Sequence, residues 1–197
     1  MSNTENKIIE AQIRECFGRV VWTHKTQEKC ADILNAYSTK VKNWQLGLSV
    51  LITSGILVSI FGDLKPVAII VAILSAGLSF LNSYLKSFDP AAVAEKHAQA
   101  AIQIWHIRES YLSLLTDYKA GKLSDEEVRV KRDELQNALF EVYKGSPRTI
   151  SEAYNVASKA LKTNEEMTFS DSEIDAFLPK ELKKSNDKLI KEPPTNA

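Results

Sequence analysis

The sequence predicts an all-α membrane protein: a two-helix transmembrane hairpin with a long N-terminal amphipathic helix before it and a C-terminal cytoplasmic helical bundle after it. Three observations support this class. Two apolar runs, residues 44–61 and 66–85, stand beside each other in the middle of the chain. Apolar residues outside these runs recur at helical spacing. No stretch shows the apolar–polar alternation of a strand.

The two apolar runs, 44–61 and 66–85, have the length and composition of membrane spans. Neither contains Asp, Glu, Lys, Arg or His. At about 1.5 Å per residue, roughly 20 helical residues cross the ~30 Å hydrocarbon core of a bilayer. The break between the runs is short and ends at Pro66, a residue favoured in the first turn of a helix. The alternative is the central helix pair of a soluble bundle, which is usually shorter and keeps a polar stripe.

Residues 6–43 predict one long amphipathic helix, because apolar side chains recur at helical spacing with Glu and Lys between them. We expect this helix to continue into the first span, with at most a slight bend near Ser38 and Thr39. Cys16 and Cys30 would lie about 21 Å apart on it, too far for a disulfide. They are therefore predicted to be buried free thiols in a reducing compartment.

The basic residues next to the hairpin predict its orientation. Lysines are frequent on both polar flanks, whereas the connecting break carries only Lys65, beside Asp63. The positive-inside rule then places both termini of this multi-pass protein in the cytoplasm and the short break outside. Four residues at the flank ends of the spans are predicted to be membrane-interface anchors: Trp44, Tyr84, Lys42 and Lys86.

Small and hydroxyl-bearing residues in the two spans are the candidate functional residues. They are Ser75, Ser79, Asn82 and Ser83 in the second span, with Gly47, Gly55 and Ser59 expected on one face of the first. Small residues at a spacing of four let helices approach closely, so these residues could simply pack the hairpin. Alternatively they line a pore made by several copies of the chain. Such a pore would lack the charged rings that select ions.

The region 89–181 is predicted to be a set of cytoplasmic helices. Asp89 and Pro90 form an N-cap and first helical residue, and this helix is expected to run to about Lys119 and stop at Gly121. Its apolar residues occupy more than one face. We therefore expect neighbouring helices to cover it on several sides.

The later helices of this region are predicted from the Ser/Thr-x-x-Glu capping-box pattern. Residues 182–197 are polar and contain prolines, and this composition predicts a disordered tail. The three capping boxes begin at Ser124, Thr149 and Ser170.

Composition and motifs give no indication of an enzyme. Lys+Arg and Asp+Glu balance at 25 each, which argues against direct nucleic-acid binding. The sequence lacks phosphate-binding, nucleophile-elbow and metalloprotease motifs, and no cofactor is expected. His106-x-x-Glu109, with Glu95 and His97 upstream, has metal-ligand spacing but no matching motif on a second helix. Five basic residues are interpreted as a solvated face, with a cytoplasmic patch for an anionic ligand as the alternative: Arg108, Lys131, Arg132, Lys144 and Arg148.

Three stretches in this order are similar to a known family: HKTQEKCADIL before the hairpin, WHIRESYLSLLTDY after it, and RDELQNALFEVYKGSPRT with the residues that follow to Pro179. From about Ile8 onward the chain resembles the SLATT family, the SMODS- and SLOG-associating two-transmembrane effector domains of bacteria. Within it, the stretches look like the subfamily associated with reverse transcriptases in defence loci. The family has no established catalytic residues to carry over.

The resemblance implies an effector of antiviral defence and abortive infection that assembles as a homo-oligomer and permeabilises the inner membrane when a partner senses infection. The implied partner is a reverse transcriptase or an enzyme producing a nucleotide signal. A rival hypothesis is a membrane adaptor that forms no pore and anchors such an enzyme to the lipid bilayer. A third is a soluble helical protein.

Overall fold

The computed structural model of the chain describes residues 3–62 and 64–184, and this part is helical with no strand. It divides into two compact units, residues 1–157 and 158–197, which are treated separately below. The predicted all-α class is confirmed. The helices are α1 (Asn3–Gly62), α2 (Lys65–Ser87), α3 (Pro90–Lys119), α4 (Asp125–Gly145), α5 (Ser151–Lys162) and α6 (Asp171–Phe177), followed by a 3₁₀ turn at Lys180–Leu182.

Helix α1 is one unbroken helix of 60 residues, about 90 Å long. It contains both the predicted amphipathic helix and the first predicted span. No break occurs at Ser38, which is buried against neighbouring helices. One face of α1 is buried or half-buried at alternating spacings of three and four, the pattern of a coiled-coil seam. In the second half of the helix these residues are Ser38, Val41, Gln45, Leu48, Ile52, Gly55 and Ser59.

Helices α2 and α3 form a return arm that runs back along α1. Residues far along the return arm bond to residues near the start of α1, as in an antiparallel pair. The predicted hairpin is thus the end of a longer two-armed structure. Three hydrogen bonds mark its levels: Gln45 to Asn82 at 2.7 Å, His97 with Gln27 at 2.5 Å, and Tyr118 to the Asn6 carbonyl at 3.4 Å.

Helix α4 lies parallel to the first half of α1. Each of three hydrogen bonds between the helices joins residues separated by 120 positions, so the two helices advance together. These bonds are Arg132 to Gln12, Gln136 to the Cys16 sulfur, and Tyr143 to Thr23. The core beneath them is Ile9, Ile13, Val20, Ile104, Ile107, Tyr111, Leu114 and Val128.

Within the first unit, helix α3 is covered by α1 and α4 on adjoining faces and is open on its remaining face. Its residues Ala94, Ala101 and Ile104 are buried, whereas Ile102 is 67% and Trp105 48% exposed. The expectation that neighbours cover α3 on several sides is therefore met on two faces of the helix, and the face with Ile102 and Trp105 is not covered by the described residues.

The helix starts follow the local cap chemistry, with one displacement. Ser124 and Glu127 form the predicted capping box at the start of α4. The Asp89 carboxylate accepts hydrogen bonds from two backbone N–H groups of α3. Helix α5 begins at Ser151, so Ile150, and not Thr149, directly precedes it, and the Ile150 carbonyl accepts from the Tyr154 N–H. Helix boundaries inferred from cap motifs commonly move by a residue.

The second unit contains the predicted capping box at Ser170 and Glu173, which opens α6. The ammonium of Lys184 donates to the Asp171 carboxylate at 2.8 Å. The first three residues of the predicted disordered tail, 182–184, are among the described residues, and Leu182 ends the 3₁₀ turn. The remainder of that tail lies outside the described residues, as does Asp63 in the break between the spans.

Candidate functional site

The second half of α1 and nearly the whole of α2 are apolar, and most of this apolar surface is exposed. In each helix only 6% of the most apolar 18-residue window is buried, and both helices are long and apolar enough to cross a membrane. A core helix of a soluble protein buries such a window. Apolar surface on this scale requires lipid or another protein to cover it. The soluble alternative is therefore disfavoured.

The two spans are in tight contact at Gly55. A Cβ atom placed on Gly55 would lie 2.6 Å from Cγ2 of Val71. Val71 is 9% exposed and Ile52, one turn before Gly55, is 6% exposed, so these residues form the dry centre of the hairpin. A glycine facing a β-branched side chain lets the two backbones approach closely.

Ser59 lies one turn from Gly55 toward the break between the helices, and Ser75 lies one turn from Val71 away from that break. Both are half-buried and line a cleft of about 300 Å³ between the spans. Small side chains form much of its wall. The lining residues are Ile56, Ser59, Ile60, Ala68, Val71, Ala72 and Ser75.

The other predicted small residues do not join this cleft. Ser79 and Ser83 are exposed. A step of four residues turns a helix by 400°, which is 40° more than a full turn, so the serines at 75, 79 and 83 point progressively further away from α1. The Ser83 hydroxyl donates to the Ser79 carbonyl at 3.0 Å, within its own helix. Gly47 is exposed with nothing near its Cβ position. Eight residues from Gly55 it is rotated by about 80°, so the expectation that both lie on one face is wrong.

Asn82 reaches across the hairpin to a residue that sequence reasoning missed. The Gln45 side-chain amide donates to the Asn82 Oδ1 at 2.7 Å. Gln45 falls on the three-and-four spacing of the α1 seam, between Val41 and Leu48. That spacing was the signal in the sequence that could have identified it. This amide pair, with Gln45 half-buried and Asn82 exposed, joins the two helices at the edge of the apolar segment and helps to fix their register.

The four predicted interface anchors lie at one level of the hairpin. Trp44 is 73% and Tyr84 54% exposed, and they flank the Gln45–Asn82 pair on the two arms. Lys42 and Lys86 are exposed and line the same cleft, described below. The antiparallel register therefore brings together the residues that mark the ends of the two spans.

A polar layer lies deeper along the seam, in the half of α1 before the spans. His97 is 1% exposed and its Nδ1 pairs with Gln27 Oε1. Burial lowers the pKa of His97 below its ordinary value, because the charged ring would lose its hydration. His24 is also buried; burial lowers its pKa, and the nearby Glu28 carboxylate partly opposes this. The layer is thus kept neutral near pH 7.

His106 and Glu109 lie away from this layer. His106 is nine residues from His97 and therefore on the opposite side of α3, where it and Glu109 line a separate cleft against α4. Cys16 and Cys30 are free thiols, as predicted, and burial raises the pKa of Cys30. Among the described residues no group of three or more His, Cys, Asp or Glu side chains could hold a metal ion.

Comparison with known proteins gives one family match. Residues 9–173 match the model of the SMODS and SLOG-associating 2TM effector domain family 4. No curated protein and no solved structure matches the chain. The match spans both apolar segments and the helices α3, α4 and α5.

Proposed function

We propose, from the premise that this chain belongs to the SMODS and SLOG-associating 2TM effector domain family 4 and is a membrane effector of defence systems, that it acts by oligomerising in the membrane and permeabilising it. The observation that carries the proposal is the exposed apolar surface of both spans. A hairpin of two helices cannot enclose a channel. Several copies must therefore contribute their spans.

The small-residue cleft supports contact between copies. Its wall of Ser59, Ala68 and Ala72 leaves about 300 Å³ open beside the Gly55–Val71 contact. Close packing in membranes depends on such small residues, because lipid offers no hydrophobic driving force between helices. Side chains from the span of a neighbouring copy could enter this cleft and gain van der Waals contact with its small residues.

The unbroken α1 helix supports a route for activation. Residues 6–43 and the first span belong to one helix, and α3 packs along its first half. A partner that favours a different packing of α3 on α1 would therefore also bias the packing of the spans. This is a population shift between a closed and an open arrangement. The proposed trigger is a reverse transcriptase or an enzyme producing a nucleotide signal.

The proposed location is the inner membrane of a bacterium, with both termini in the cytoplasm. Lys42 and Lys86 lie at the same end of the hairpin, and Lys65 lies at the other end. The basic excess on the flanks then favours the cytoplasmic side for both arms.

A leakage assay tests this proposal. The full chain is expressed in bacterial cells, where membrane potential and dye entry are followed, and the purified chain is reconstituted in vesicles holding calcein. Ser79→Leu and Ser83→Leu, at exposed positions, are compared with Ser54→Leu, an exposed position on the first span. With the activating partner present, we expect wild type and Ser54→Leu to release calcein, and Ser79→Leu and Ser83→Leu to retain it. Membrane-inserted wild-type oligomers that retain calcein even with the partner present would contradict the proposal.

A second candidate function is a membrane adaptor that anchors a partner enzyme. It is favoured by the hydroxyl groups of Ser83 and Thr53, which bond to carbonyl groups of their own helices and offer little to a water-filled lining. For an adaptor, the leucine variants described above would retain full activity. Partner binding would then depend on α3 and α4 alone.

A further inference from the structure

A second cleft lies at the junction between the spans and the rest of the chain. Helix α2 ends at Ser87 and α3 begins at Pro90, and the cleft is formed where this junction passes α1. Its volume is about 280 Å³. The lining residues are Ser38, Val41, Lys42, Gln45, Asn82, Leu85, Lys86, Asp89, Pro90 and Ala91.

Two lysines give the cleft a net positive charge. Lys42 on α1 and Lys86 on α2 are exposed, and neither has an ion-pair partner in residues 3–62 and 64–184. The one carboxylate of the lining, Asp89, accepts from the N–H groups of Ala91 and Ala92 through a single oxygen. Two cations and one carboxylate leave one unbalanced positive charge.

The buried wall of the cleft offers a hydroxyl without a partner. Ser38 is 7% exposed and lines the cleft. Its hydroxyl makes no hydrogen bond to any described residue. A helical serine usually donates to a carbonyl one turn earlier, as Ser49 does here to Gln45. The Ser38 oxygen is not among the fully buried unpaired polar atoms of the described residues, so it is accessible from the open cleft and can donate to a ligand there.

The position of the cleft identifies the kind of ligand. The charge-free runs end at Trp44 on one arm and Leu85 on the other, and Lys42 and Lys86 lie just beyond them. In a bilayer this level is where hydrocarbon gives way to headgroups. Trp44 and Tyr84, both exposed, lie at the same level, as amphipathic rings do at a membrane surface.

We propose that this cleft binds the headgroup of an anionic phospholipid that carries free hydroxyl groups, of which phosphatidylglycerol is the simplest. Lys42 and Lys86 hold the phosphate, and the Ser38 hydroxyl donates to one of its oxygens. The second carboxylate oxygen of Asp89 accepts from a headgroup hydroxyl. The proposal concerns lipid binding at the junction and goes beyond permeabilisation; it does not depend on whether the oligomer conducts.

The test is native mass spectrometry of the delipidated full chain in detergent, titrated separately with phosphatidylglycerol, phosphatidylcholine and inorganic phosphate. Lys42→Gln with Lys86→Gln is expected to weaken phosphatidylglycerol binding about 25-fold, at about fivefold per lysine. The matched control is Lys40→Gln with Lys96→Gln, which changes the net charge equally at exposed positions outside the cleft. Ser38→Ala is expected to weaken binding about tenfold, against no change for the exposed Thr39→Ala.

Each outcome bears on the proposal. A preference for phosphatidylglycerol that is lost only in the cleft variants supports the proposal. If the glutamine pair does not fold, Lys42→Arg with Lys86→Arg is used instead and should keep the binding. If both glutamine pairs weaken phosphatidylglycerol binding equally, the lipid is attracted by the general positive charge of the chain, and the proposed site is wrong. Displacement of the lipid by millimolar inorganic phosphate would make it a free-phosphate site and overturn the lipid assignment. Because binding is measured in detergent, a chain that releases no calcein still gives an answer.

Discussion

Gly55 on α1 faces Val71 on α2 so closely that a Cβ atom at Gly55 would lie 2.6 Å from Val71 Cγ2. Real Cβ atoms essentially never approach a neighbour to this distance. The valine is β-branched and has few alternative rotamers, so it cannot simply turn away. The contact therefore sets how closely the two spans approach.

Gly55→Ala is expected to destabilise the hairpin by about 1–3 kcal/mol, the usual cost of overpacking a well-packed contact. The free energy is measured by titrating the protein in mild detergent with dodecyl sulfate and following tryptophan fluorescence. Gly47→Ala is the matched control, since nothing lies within 4 Å of a Cβ there. Equal stability of the two variants would show that the spans do not pack as described.

The Gln45–Asn82 hydrogen bond is expected to couple the two spans. Interhelical hydrogen bonds in membranes contribute about 0.6 kcal/mol on average and up to about 1.7 kcal/mol. A double-mutant cycle with Gln45→Leu and Asn82→Leu measures this coupling in the same detergent titration. A coupling energy of zero would mean that the two amides are not partners in the folded protein.

Stability should depend on pH through His97. Its pKa is lowered by burial from the ordinary value of 6.5, so the unfolded chain takes up the proton at a higher pH than the folded chain. The stabilising contribution is present above pH 6.5 and is lost as the pH falls through the folded-state pKa, with a slope of at most about 1.4 kcal/mol per pH unit. His97→Gln should flatten this dependence in unfolding experiments at stepped pH.

The control for that experiment is His106→Gln, on the opposite side of α3. His24→Gln should remove a further part of the slope, because burial also lowers the His24 pKa. A His97→Gln protein with an unchanged slope would show that the buried ring is not linked to folding.

Tyr118 should stabilise the turn between α3 and α4. Its hydroxyl donates to the buried Asp125 carboxylate at 2.8 Å, and burial together with this hydrogen bond raises the pKa of Tyr118 to about 12. Tyr118→Phe is expected to cost about 1.5–3 kcal/mol, as for a hydrogen bond to a charged group. Thermal unfolding in detergent measures the loss. Tyr37→Phe, at a half-exposed position, should be near neutral.

The spans and most helix starts could be predicted from the sequence because their signals are local. The absence of charge from 44–61 and from 66–85 indicates apolar surroundings whatever the rest of the chain does. The Ser124 capping box satisfies backbone N–H groups within one turn and needs no distant partner. These features confirm that local chemistry fixes where helices begin and which of them are apolar.

The faces of the helices could not be predicted in the same way. The exposure of Gly47 and Ser83, and the open side of α3 at Trp105, depend on the rotation of each helix about its axis. That rotation is set by contacts such as Gly55–Val71 between residues distant in the sequence. Apolar composition indicates which residues avoid water, and does not indicate which helix, lipid or second copy covers them.

The hairpin is expected to cross the membrane with both arms of the chain on one side. Cysteines at Gly18, Lys65 and Ser172, each placed singly in a chain with Cys16 and Cys30 replaced by Ala, are probed in spheroplasts with a membrane-impermeant maleimide. We expect the Lys65 position to be labelled in intact spheroplasts, and the other two only after lysis. Labelling of Lys65 only after lysis, together with the other two, would contradict the central claim.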